Sequence, residues 1–256
     1  MSTRNARKSE IDPLRGPWMT TYTGRRFHPF TPQPEDVCIE DEAHALAAQP
    51  RFGGHAKTFS YCVAHHSTLV SLLCEAMSAT STPGMTQIGP LDGLQGHHHD
   101  GGEFVLLDLP RPIKHDLALA SYRELEKINL QAVKDAWGCR SIGKSPVVQA
   151  ADDLMLSIEL RDLMEYEPEE WRLRQIADAL VALRKRVSMG SAGSQYAEQA
   201  LAVIGEPGGL LRHGLYGEPA QALFLARHHD LIARRDAAIA ADDAFAAAAD
   251  DRSRPR

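Results

Sequence analysis

Three short stretches contain the polar residues on which the interpretation of this sequence depends: Arg51-Phe52-Gly53-Gly54-His55, Ala64-His65-His66-Ser67 and His99-Asp100-Gly101-Gly102-Glu103. Two neutral imidazoles and an adjacent carboxylate can bind a divalent cation of the borderline or hard kind. Either His65 or His66 could supply the second imidazole beside the His99-Asp100 pair. A fourth ligand has to come from elsewhere in the chain, and Asp152 is the best candidate. The cysteines form no Cys-x-x-Cys pair that would compete for the metal.

The order of these residues resembles the signature of a known superfamily. His66, His99-Asp100 and Asp152 match the H…HD…D pattern of the HD superfamily of metal-dependent phosphohydrolases. The flanking segments are similar to its deoxynucleotide-hydrolysing branch, which contains bacterial 5′-deoxynucleotidases and phage dATP triphosphohydrolases. The resemblance covers residues 18–164, with a weaker similarity at 218–231. In this pattern the ligand directly precedes Ser67, which favours His66 over His65.

The resemblance also implies a role for each residue of the site. The metal ligands would be His66, His99, Asp100 and Asp152. Glu103 would position or deprotonate the attacking water, and Asp108 would donate a proton to the leaving sugar oxygen. Arg51, which stands fifteen residues before His66, would bind phosphate, because a guanidinium group forms bidentate hydrogen bonds with phosphate oxygens.

Other candidates for substrate binding lie close to these residues. Phe52 could contact the sugar or the base, or it could be an ordinary core aromatic residue. Lys114 and the Gly53-Gly54 backbone are weaker phosphate candidates. A triphosphate would need more positive charge, for which Lys57, Arg111 and Lys114 are available nearby.

The resemblance implies an enzyme, a metal-dependent hydrolase of deoxynucleoside phosphates. It favours a dATP or dNTP triphosphohydrolase, which releases deoxynucleoside and triphosphate, over a 5′-deoxynucleotidase that releases orthophosphate from dNMPs. A non-catalytic HD nucleotide sensor is the other alternative. An HD phosphodiesterase of cyclic dinucleotides fits less well because its GYP-type extension is absent. The metal would be Mn²⁺, Co²⁺, Zn²⁺ or Mg²⁺, and the partner a small-molecule nucleotide, with a homo-oligomer left open.

Composition limits the class of protein. The chain of 256 residues has a net charge of −6 and a pI near 6.0, which argues against a protein that coats nucleic acid. No apolar run approaches the roughly 20 residues of a membrane span. The four scattered cysteines are typical of reduced thiols. These features predict a cytoplasmic protein, located in a bacterial cell or, if it is encoded by a phage, in the cytoplasm of the host.

The sequence is divided into three parts by its composition. Residues 1–16 are polar and basic and are predicted to be a disordered lead. Residues 17–235 would form the HD-type phosphohydrolase domain, and 236–256 an Ala-rich, partly disordered C-terminal tail, of which 236–249 could instead extend a helix.

Apolar periodicity predicts an all-α helical bundle with a small N-terminal β-hairpin over 18–30, and the resemblance implies that this bundle is an HD domain. Beyond the helix around His99, the predicted helices are 40–49, 63–77, 117–137, 147–164, 169–187, 196–204 and 219–235.

Several local features depart from the resemblance. Residues 79–96 are rich in Ser, Thr, Pro and Gly and predict a loop, either a lid or a tolerated surface insertion. His97 and His98 replace apolar residues, so they are expected at the site mouth or in solvent. His99, Asp100 and Glu103 would share one face of a helix that is weakened by Gly101-Gly102 and ended by Pro110 and Pro112. His44 could face the metal or be a hydrogen-bonded structural residue.

Overall fold

The computed structural model describes residues 14–78, 88–139 and 145–253, with side chains except at 88–90 and 242–253. The described chain is a helical bundle with one small antiparallel hairpin near its beginning, which confirms the predicted all-α fold class. Its α-helices are α1 (Ile39–Ala47), α2 (Val63–Ser78), α3 (Ile88–His97), α4 (Glu103–Leu106), α5 (Arg111–Lys114), α6 (Ala120–Ala136), α7 (Pro146–Leu163), α8 (Glu170–Ser188), α9 (Ser194–Ile204), α10 (Gly209–His213) and α11 (Glu218–Ser253).

The hairpin pairs β1 (Met19–Thr20) with β2 (Arg26–Phe27), inside the predicted range 18–30. Gly24 in the connecting turn has a φ of 83°, a conformation that glycine adopts without steric cost. Phe27 is completely buried and packs edge-to-face on Phe104, with ring centroids 5.0 Å apart. This contact fixes the hairpin to α4.

Helix α2 lies in the middle of the bundle and packs against α1, α3, α7, α9 and α11. All but one of its residues are buried, whereas the sequence predicted one apolar side. A helix that is surrounded by other helices has no solvent face to keep polar. The main core cluster therefore forms between α2, α7, α8 and α9. His66 lies in the first turns of α2 and is therefore buried in the interior.

A second core cluster joins α1, α4, α6 and α11. Ala43 and Leu46 of α1, Val133 of α6 and Phe224 of α11 are completely buried in it. Helix α6 is preceded by a short 3-10 turn, Leu117–Leu119, so the predicted helix 117–137 is divided into two parts. This cluster supports the segment that carries His99, Asp100 and Glu103.

The predicted loop over 79–96 is wrong for residues 88–96, which belong to α3; residues 79–87 lie outside the described residues. Glycines at 93 and 96 suggested a loop, but they let α3 approach its neighbours closely. A Cβ atom on Gly96 would lie 2.7 Å from Sγ of Cys74, and one on Gly93 would lie 2.7 Å from Cγ of Glu75. Close packing on α2 therefore overrides the weak helix propensity of glycine.

The continuous helix expected around His99 and Asp100 is also absent. Helix α3 ends at His97, tight turns span 98–102, and α4 begins at Glu103 and ends at Leu106. Gly101 and Gly102 explain the break, because α6 passes directly beside them. A Cβ atom on Gly102 would lie 3.0 Å from the backbone nitrogen of Leu130. Asp108 consequently lies two residues past the end of this short helix, after Leu107, whose φ is 70°.

The prediction that His97 and His98 lie at the site mouth or in solvent is wrong, because both side chains are completely buried. Nδ1 of His98 lies 2.7 Å from Oε1 of Glu42, and its Nε2 lies 3.0 Å from Nδ1 of His228. Trp137 donates to the other oxygen of Glu42. His98, Glu42 and His228 can be buried because each has a hydrogen-bond partner in the interior.

Helix α11 continues to Ser253. The alternative that 236–249 extends a helix is therefore what is found, and the helix also includes 250–253, where disorder was expected. The predictions for residues 1–13 and 254–256 lie outside the described residues. Within the described residues, none of the helices combines the length and apolar character needed to cross a membrane.

Candidate metal centre

Four side chains from three distant parts of the sequence meet at one point of the bundle. His66 comes from the first turns of α2, Asp152 from the second turn of α7, and His99 and Asp100 from the turns between α3 and α4. His66 and His99 are buried, while Asp100 and Asp152 are partly exposed. The site is thus closed on the side of the core and open on the side of the carboxylates.

The potential ligand atoms are separated by distances that suit binding of one shared metal ion. Nε2 of His66 is 3.3 Å from Nε2 of His99 and 3.3 Å from Oδ1 of Asp152. Nε2 of His99 is 3.2 Å from Oδ2 of Asp100 and 3.5 Å from Oδ1 of Asp152. With bonds of about 2.1 Å, ligand atoms lie about 3.0 Å apart around an octahedral ion and about 3.4 Å apart around a tetrahedral one.

The outer nitrogen of each imidazole is held by a hydrogen-bond acceptor. Nδ1 of His66 donates to Oε1 of Glu159 over 2.7 Å, and Nδ1 of His99 donates to the carbonyl of Gly96 over 2.8 Å. These bonds place the Nε2 lone pairs of both rings toward each other. Two facing lone pairs beside two carboxylates repel unless a cation lies among them, so the donor set fits a divalent metal.

The charges around the site favour the same conclusion. Burial and Arg51 both disfavour a charged His66, but Glu159 and Asp152 outweigh them and raise the pKa of His66 above its usual value. Burial opposes the charge of Asp152, yet the two imidazoles hold the pKa of this carboxyl well below its usual range. The site therefore attracts positive charge. His66, His99 and Asp100 form a group that could hold a metal ion, with Asp152 beside it.

A cavity of about 700 Å³ opens directly onto this group. Asp100 and Asp152 line it on one side, together with Glu103, Asp108 and Arg51. An apolar part of its wall comes from Phe52, Leu109, Pro110, Pro112, Leu156 and Met164. The cavity can therefore accept a molecule that has both an anionic and an apolar part.

Glu103 and Asp108 lie on the cavity wall near Asp100. Glu103 is buried, and one of its oxygens, Oε2, has no hydrogen-bond partner among the described residues. Burial, together with the charges of Asp100 and Asp108, raises its pKa well above its usual range. Burial likewise raises the pKa of Asp108, with Arg51 opposing and Asp100 adding to the shift.

Arg51 is held by acidic groups of the site. Its Nη1 lies 3.2 Å from Oδ2 of Asp108 and 3.8 Å from Oδ2 of Asp100, and its Nη2 lies 3.4 Å from Oε2 of Glu159. Its Nε is buried without a hydrogen-bond partner among the described residues. A bound anion in the cavity would therefore compete with Asp108 and Asp100 for this guanidinium group.

Phe52 is both a core aromatic residue and part of the cavity wall, the two alternatives that the sequence left open. Its ring packs against the main core cluster and also lines the cavity. Its backbone has a φ of 57°, a left-handed conformation that costs a non-glycine residue about 1–2 kcal/mol. Gly53 and Gly54 continue this conformation with φ values of 60° and 83°. The glycine pair thus turns the chain while Phe52 stays at the cavity.

The other basic residues near the site separate into two groups. Lys114, Arg111 and Arg172 line the cavity, whereas Lys57 lies outside it and pairs with Glu165 at 3.2 Å. Lys114 lies between Glu103 and Glu126. Burial alone would lower its pKa, but these carboxylates raise the pKa of Lys114 above its usual value. Lys57 is therefore excluded from the site.

Two other histidines do not join the group. His65 is buried on the opposite side of α2, where its Nδ1 accepts a hydrogen bond from the backbone of Leu215 at 3.0 Å. Burial and the neighbouring His66 lower the pKa of His65 to about 4. His44 stacks on Tyr22, with centroids 3.7 Å apart, and its Nδ1 lies 3.3 Å from Oε1 of Gln221. His44 is thus a structural residue.

Glu159, Arg161 and Asp162 of α7 do not form one ion-pair network but belong to two separate groups. Arg161 and Asp162 pair with each other at 2.6 Å, and Asp162 also accepts hydrogen bonds from the backbone of Gly208 and Leu210. Glu159 faces the metal centre instead, where it pairs with Arg51.

Sequence reasoning missed three residues near the site: Gln49, Tyr61 and Arg172. The buried amide of Gln49 donates to the carbonyl of Glu103 and accepts from the backbone nitrogen of Asp108, which fixes the spacing of the two acids. Tyr61 donates to Glu159 at 2.8 Å. Arg172 reaches the cavity from α8, far along the sequence. No motif or spacing marks these residues.

Comparison with known proteins gives a relative but no activity. No protein-family model matches the chain. An uncharacterized protein of Rhodobacter capsulatus is 31% identical over 157 residues, which cover 60% of this chain and 76% of the relative. The chain belongs to the same family as this protein. The function of the chain therefore has to be argued from its own site.

Proposed function

We propose that the protein is a metal-dependent hydrolase of deoxynucleoside phosphates that releases deoxynucleoside and triphosphate. One observation carries the proposal. The potential ligand atoms of His66, His99, Asp100 and Asp152 converge at the wall of a cavity that also presents an arginine and two further carboxyl groups. The same residues, in the same order, make up the sequence pattern that resembles HD-superfamily phosphohydrolases.

A divalent cation held by these four residues would supply a water of lowered pKa and would neutralise charge on a phosphoryl oxygen. Two imidazole nitrogens and two carboxylates suit Mn²⁺, Co²⁺ or Zn²⁺, and also Mg²⁺ when more water is retained. The protein side chains then have three tasks, which are to orient the water, to hold the phosphate and to protonate the leaving oxygen.

We assign these tasks to residues that line the cavity. Glu103 accepts a proton from the attacking water, since its Oε2 has no partner among the described residues. Arg51 holds the phosphate with its guanidinium group. Asp108, 3.2 Å from Arg51, donates the proton to the sugar oxygen that leaves. Phe52 and the other apolar residues of the wall contact the sugar and the base.

The number of cationic side chains on the cavity wall supports a triphosphate rather than a monophosphate. Arg111, Lys114 and Arg172 line the same cavity as Arg51, so several cationic groups are available beyond the one that a single phosphate needs. A dissolved nucleotide of this kind is a cytoplasmic metabolite, and we place the protein in the cytoplasm for this reason.

Product analysis tests the proposal. The full chain is incubated with deoxy- and ribonucleoside mono- and triphosphates in the presence of Mn²⁺, Co²⁺, Zn²⁺ or Mg²⁺, and phosphorus NMR identifies the products. We expect inorganic triphosphate from dATP or another dNTP, and a loss of turnover in Asp100→Ala. Orthophosphate from a dNMP would indicate the deoxynucleotidase instead. Turnover that survives Asp100→Ala, or nucleotide binding without turnover, would contradict the proposed activity.

A further inference from the structure

Glu159 is a completely buried carboxylate in α7, two helical turns after Asp152. A buried charge is unfavourable unless close partners compensate for the lost water. Glu159 has three such partners, and two of them are His66 and Arg51, which belong to the proposed site. Its two oxygens have different partners, and this division suggests a role beyond packing.

Oxygen Oε1 faces the metal ligand. It lies 2.7 Å from Nδ1 of His66 and 2.8 Å from the hydroxyl of Tyr61. The hydrogen bond from Nδ1 keeps the proton on the outer nitrogen of the ring, which leaves the Nε2 lone pair directed at Asp152 and His99. A carboxylate in this position also makes the imidazole a stronger ligand.

Oxygen Oε2 faces the guanidinium group of Arg51. It lies 3.4 Å from Nη2 of Arg51, and Nη1 of the same guanidinium lies 3.2 Å from Asp108. The guanidinium plane is therefore held between α7 and the segment that follows α4. One side chain thus contacts both the imidazole that would bind metal and the guanidinium that would bind phosphate.

We propose that Glu159 is a positioning residue that aligns His66 for the metal through one oxygen and Arg51 for phosphate through the other. The first part depends only on the contacts of His66. The second part rests on the proposed function, since it takes Arg51 as a phosphate-binding residue.

Glu159→Gln tests both parts, and Tyr61→Phe is its matched control. A carboxamide has one acceptor oxygen and one donor nitrogen. If its oxygen faces His66, its NH₂ group opposes Arg51, and if it is reversed, the NH₂ group opposes the Nδ1 proton. Tyr61→Phe removes one donor to Oε1 but leaves both His66 and Arg51 in contact with Glu159.

The first readout is the tautomer of the neutral His66 ring, measured by long-range proton–nitrogen NMR on the metal-free full chain at a pH above the raised pKa of this histidine. We expect the Nδ1-protonated form in the unaltered protein and in Tyr61→Phe, and a second, Nε2-protonated form in Glu159→Gln. The measurement on the unaltered protein does not depend on whether the Glu159→Gln protein folds. An Nε2-protonated His66 in the unaltered protein would overturn the proposal.

The second readout is the affinity for Mn²⁺ and Zn²⁺, measured by calorimetric titration. We expect Glu159→Gln to raise the Kd for metal about 10- to 100-fold, as is typical when the partner of a ligating histidine is lost. Tyr61→Phe should raise it less than about threefold on the same scale. An unchanged Kd in a folded Glu159→Gln protein would refute the role of the carboxylate at Oε1, because either orientation of the amide removes its negative charge from beside Nδ1.

The third readout is the binding of inorganic tripolyphosphate to the metal-loaded protein. Arg51→Gln should weaken this binding without weakening metal binding, because it removes a cation that lies 3.8 Å from Asp100, whereas Glu159→Gln should weaken both. Binding of tripolyphosphate that is equally strong in the unaltered and Arg51→Gln proteins would overturn the Arg51 part of the proposal and the proposed phosphate role. The His66 part would stand on the first two readouts, so the two failures are distinguishable.

Discussion

At the scale of single residues, the metal centre is defined by orientation as much as by residue type. The chain contains twelve histidines, but within the described residues only His66 and His99 direct ring nitrogens at each other and at a pair of carboxylates. The acceptors behind them, Glu159 and the carbonyl of Gly96, determine which nitrogen carries the lone pair. The acceptors therefore orient the imidazoles of the candidate site.

Asp152→Asn should weaken metal binding, because the site loses one anionic oxygen that lies 3.3 Å and 3.5 Å from the two imidazoles. A contact with a charged group contributes about 1.5–3 kcal/mol, so we expect the Kd for Mn²⁺ or Zn²⁺ to rise at least about tenfold. Calorimetric titration measures this change.

Asp153→Asn is the matched control for this substitution. Asp153 lines the same cavity one residue further along α7, but its carboxylate accepts a hydrogen bond from Gln149 at 2.9 Å. The control should keep the affinity of the unaltered protein. Equal losses in the two variants would show that the general negative charge of the cavity, rather than ligation by Asp152, holds the metal.

The sequence predicted the residues that meet in space, but not the residues that orient them. His66, His99, Asp100 and Asp152 were found because their order and flanks form a pattern. Gln49 and Tyr61 were not found, since their roles depend on backbone atoms and side chains that only the fold brings near. The catalytic and binding roles assigned to the residues of the site remain proposals.

At the scale of the elements, small residues determine where the helices approach each other. Gly93 and Gly96 allow α3 to pack closely on α2, and Gly101 and Gly102 allow the following turn to pack on α6. The bounds of α1, α2, α7, α8 and α9 follow the apolar periodicity to within a few residues. The bounds of α3 and α4 do not, because glycine lowers local helix propensity while it permits close contact with distant helices.

Gly101→Ala should destabilise the protein. The added methyl group would lie 2.7 Å from Cγ1 of Val133 and 3.0 Å from Oε1 of Glu42. Neither neighbour can move easily, since Val133 is a buried β-branched residue and Glu42 is hydrogen-bonded to His98 and Trp137. We expect a loss of about 1–3 kcal/mol in the free energy of unfolding, measured by urea titration.

Gly24→Ala serves as the comparison for this effect. Gly24 has a φ of 83° and no neighbour within 4 Å, so the substitution introduces backbone strain without a steric clash. The strain should cost about 1 kcal/mol. If Gly101→Ala is less destabilising than Gly24→Ala, the turn beside α6 has room that its packing does not indicate.

At the scale of the whole molecule, the interior contains an unusual amount of imidazole. His65, His66, His97, His98, His99 and His228 are all buried. Burial, followed by the neighbouring His98 and His229, lowers the pKa of His228 to about 3. An unfolded histidine has a pKa near 6.5, so the unfolded state binds this proton at a pH where the folded state does not.

The free energy of unfolding should therefore fall as the pH decreases. The contribution of His228 is fully present above about pH 6.5 and is lost progressively below it, by up to about 2 kcal/mol at pH 5. Urea titrations of the metal-free protein at pH 7.5 and pH 5 measure the difference. His228→Gln should reduce this dependence, and the exposed control His213→Gln should leave it unchanged. An unreduced dependence in His228→Gln would show that other groups cause it.

Composition and periodicity predicted the all-α class and the hairpin, because both depend on local patterns. They did not predict that the protein would bury a series of hydrogen-bonded polar groups beside its second core cluster. These groups are Glu42, His98 and His228. Polar residues are usually placed at the surface by sequence reasoning. Here each group has a partner inside, which only the tertiary arrangement of α1, α3 and α11 supplies.

The helix that contributes His66 is also the one against which α1, α3, α7, α9 and α11 pack. Densely packed interiors transmit small displacements over several layers of side chains. A coloured ion such as Co²⁺ at His66 would consequently serve as an optical gauge of the bundle. Substitutions deep among the aliphatic side chains, far from any exposed carboxylate, would then be visible as changes in its absorption spectrum.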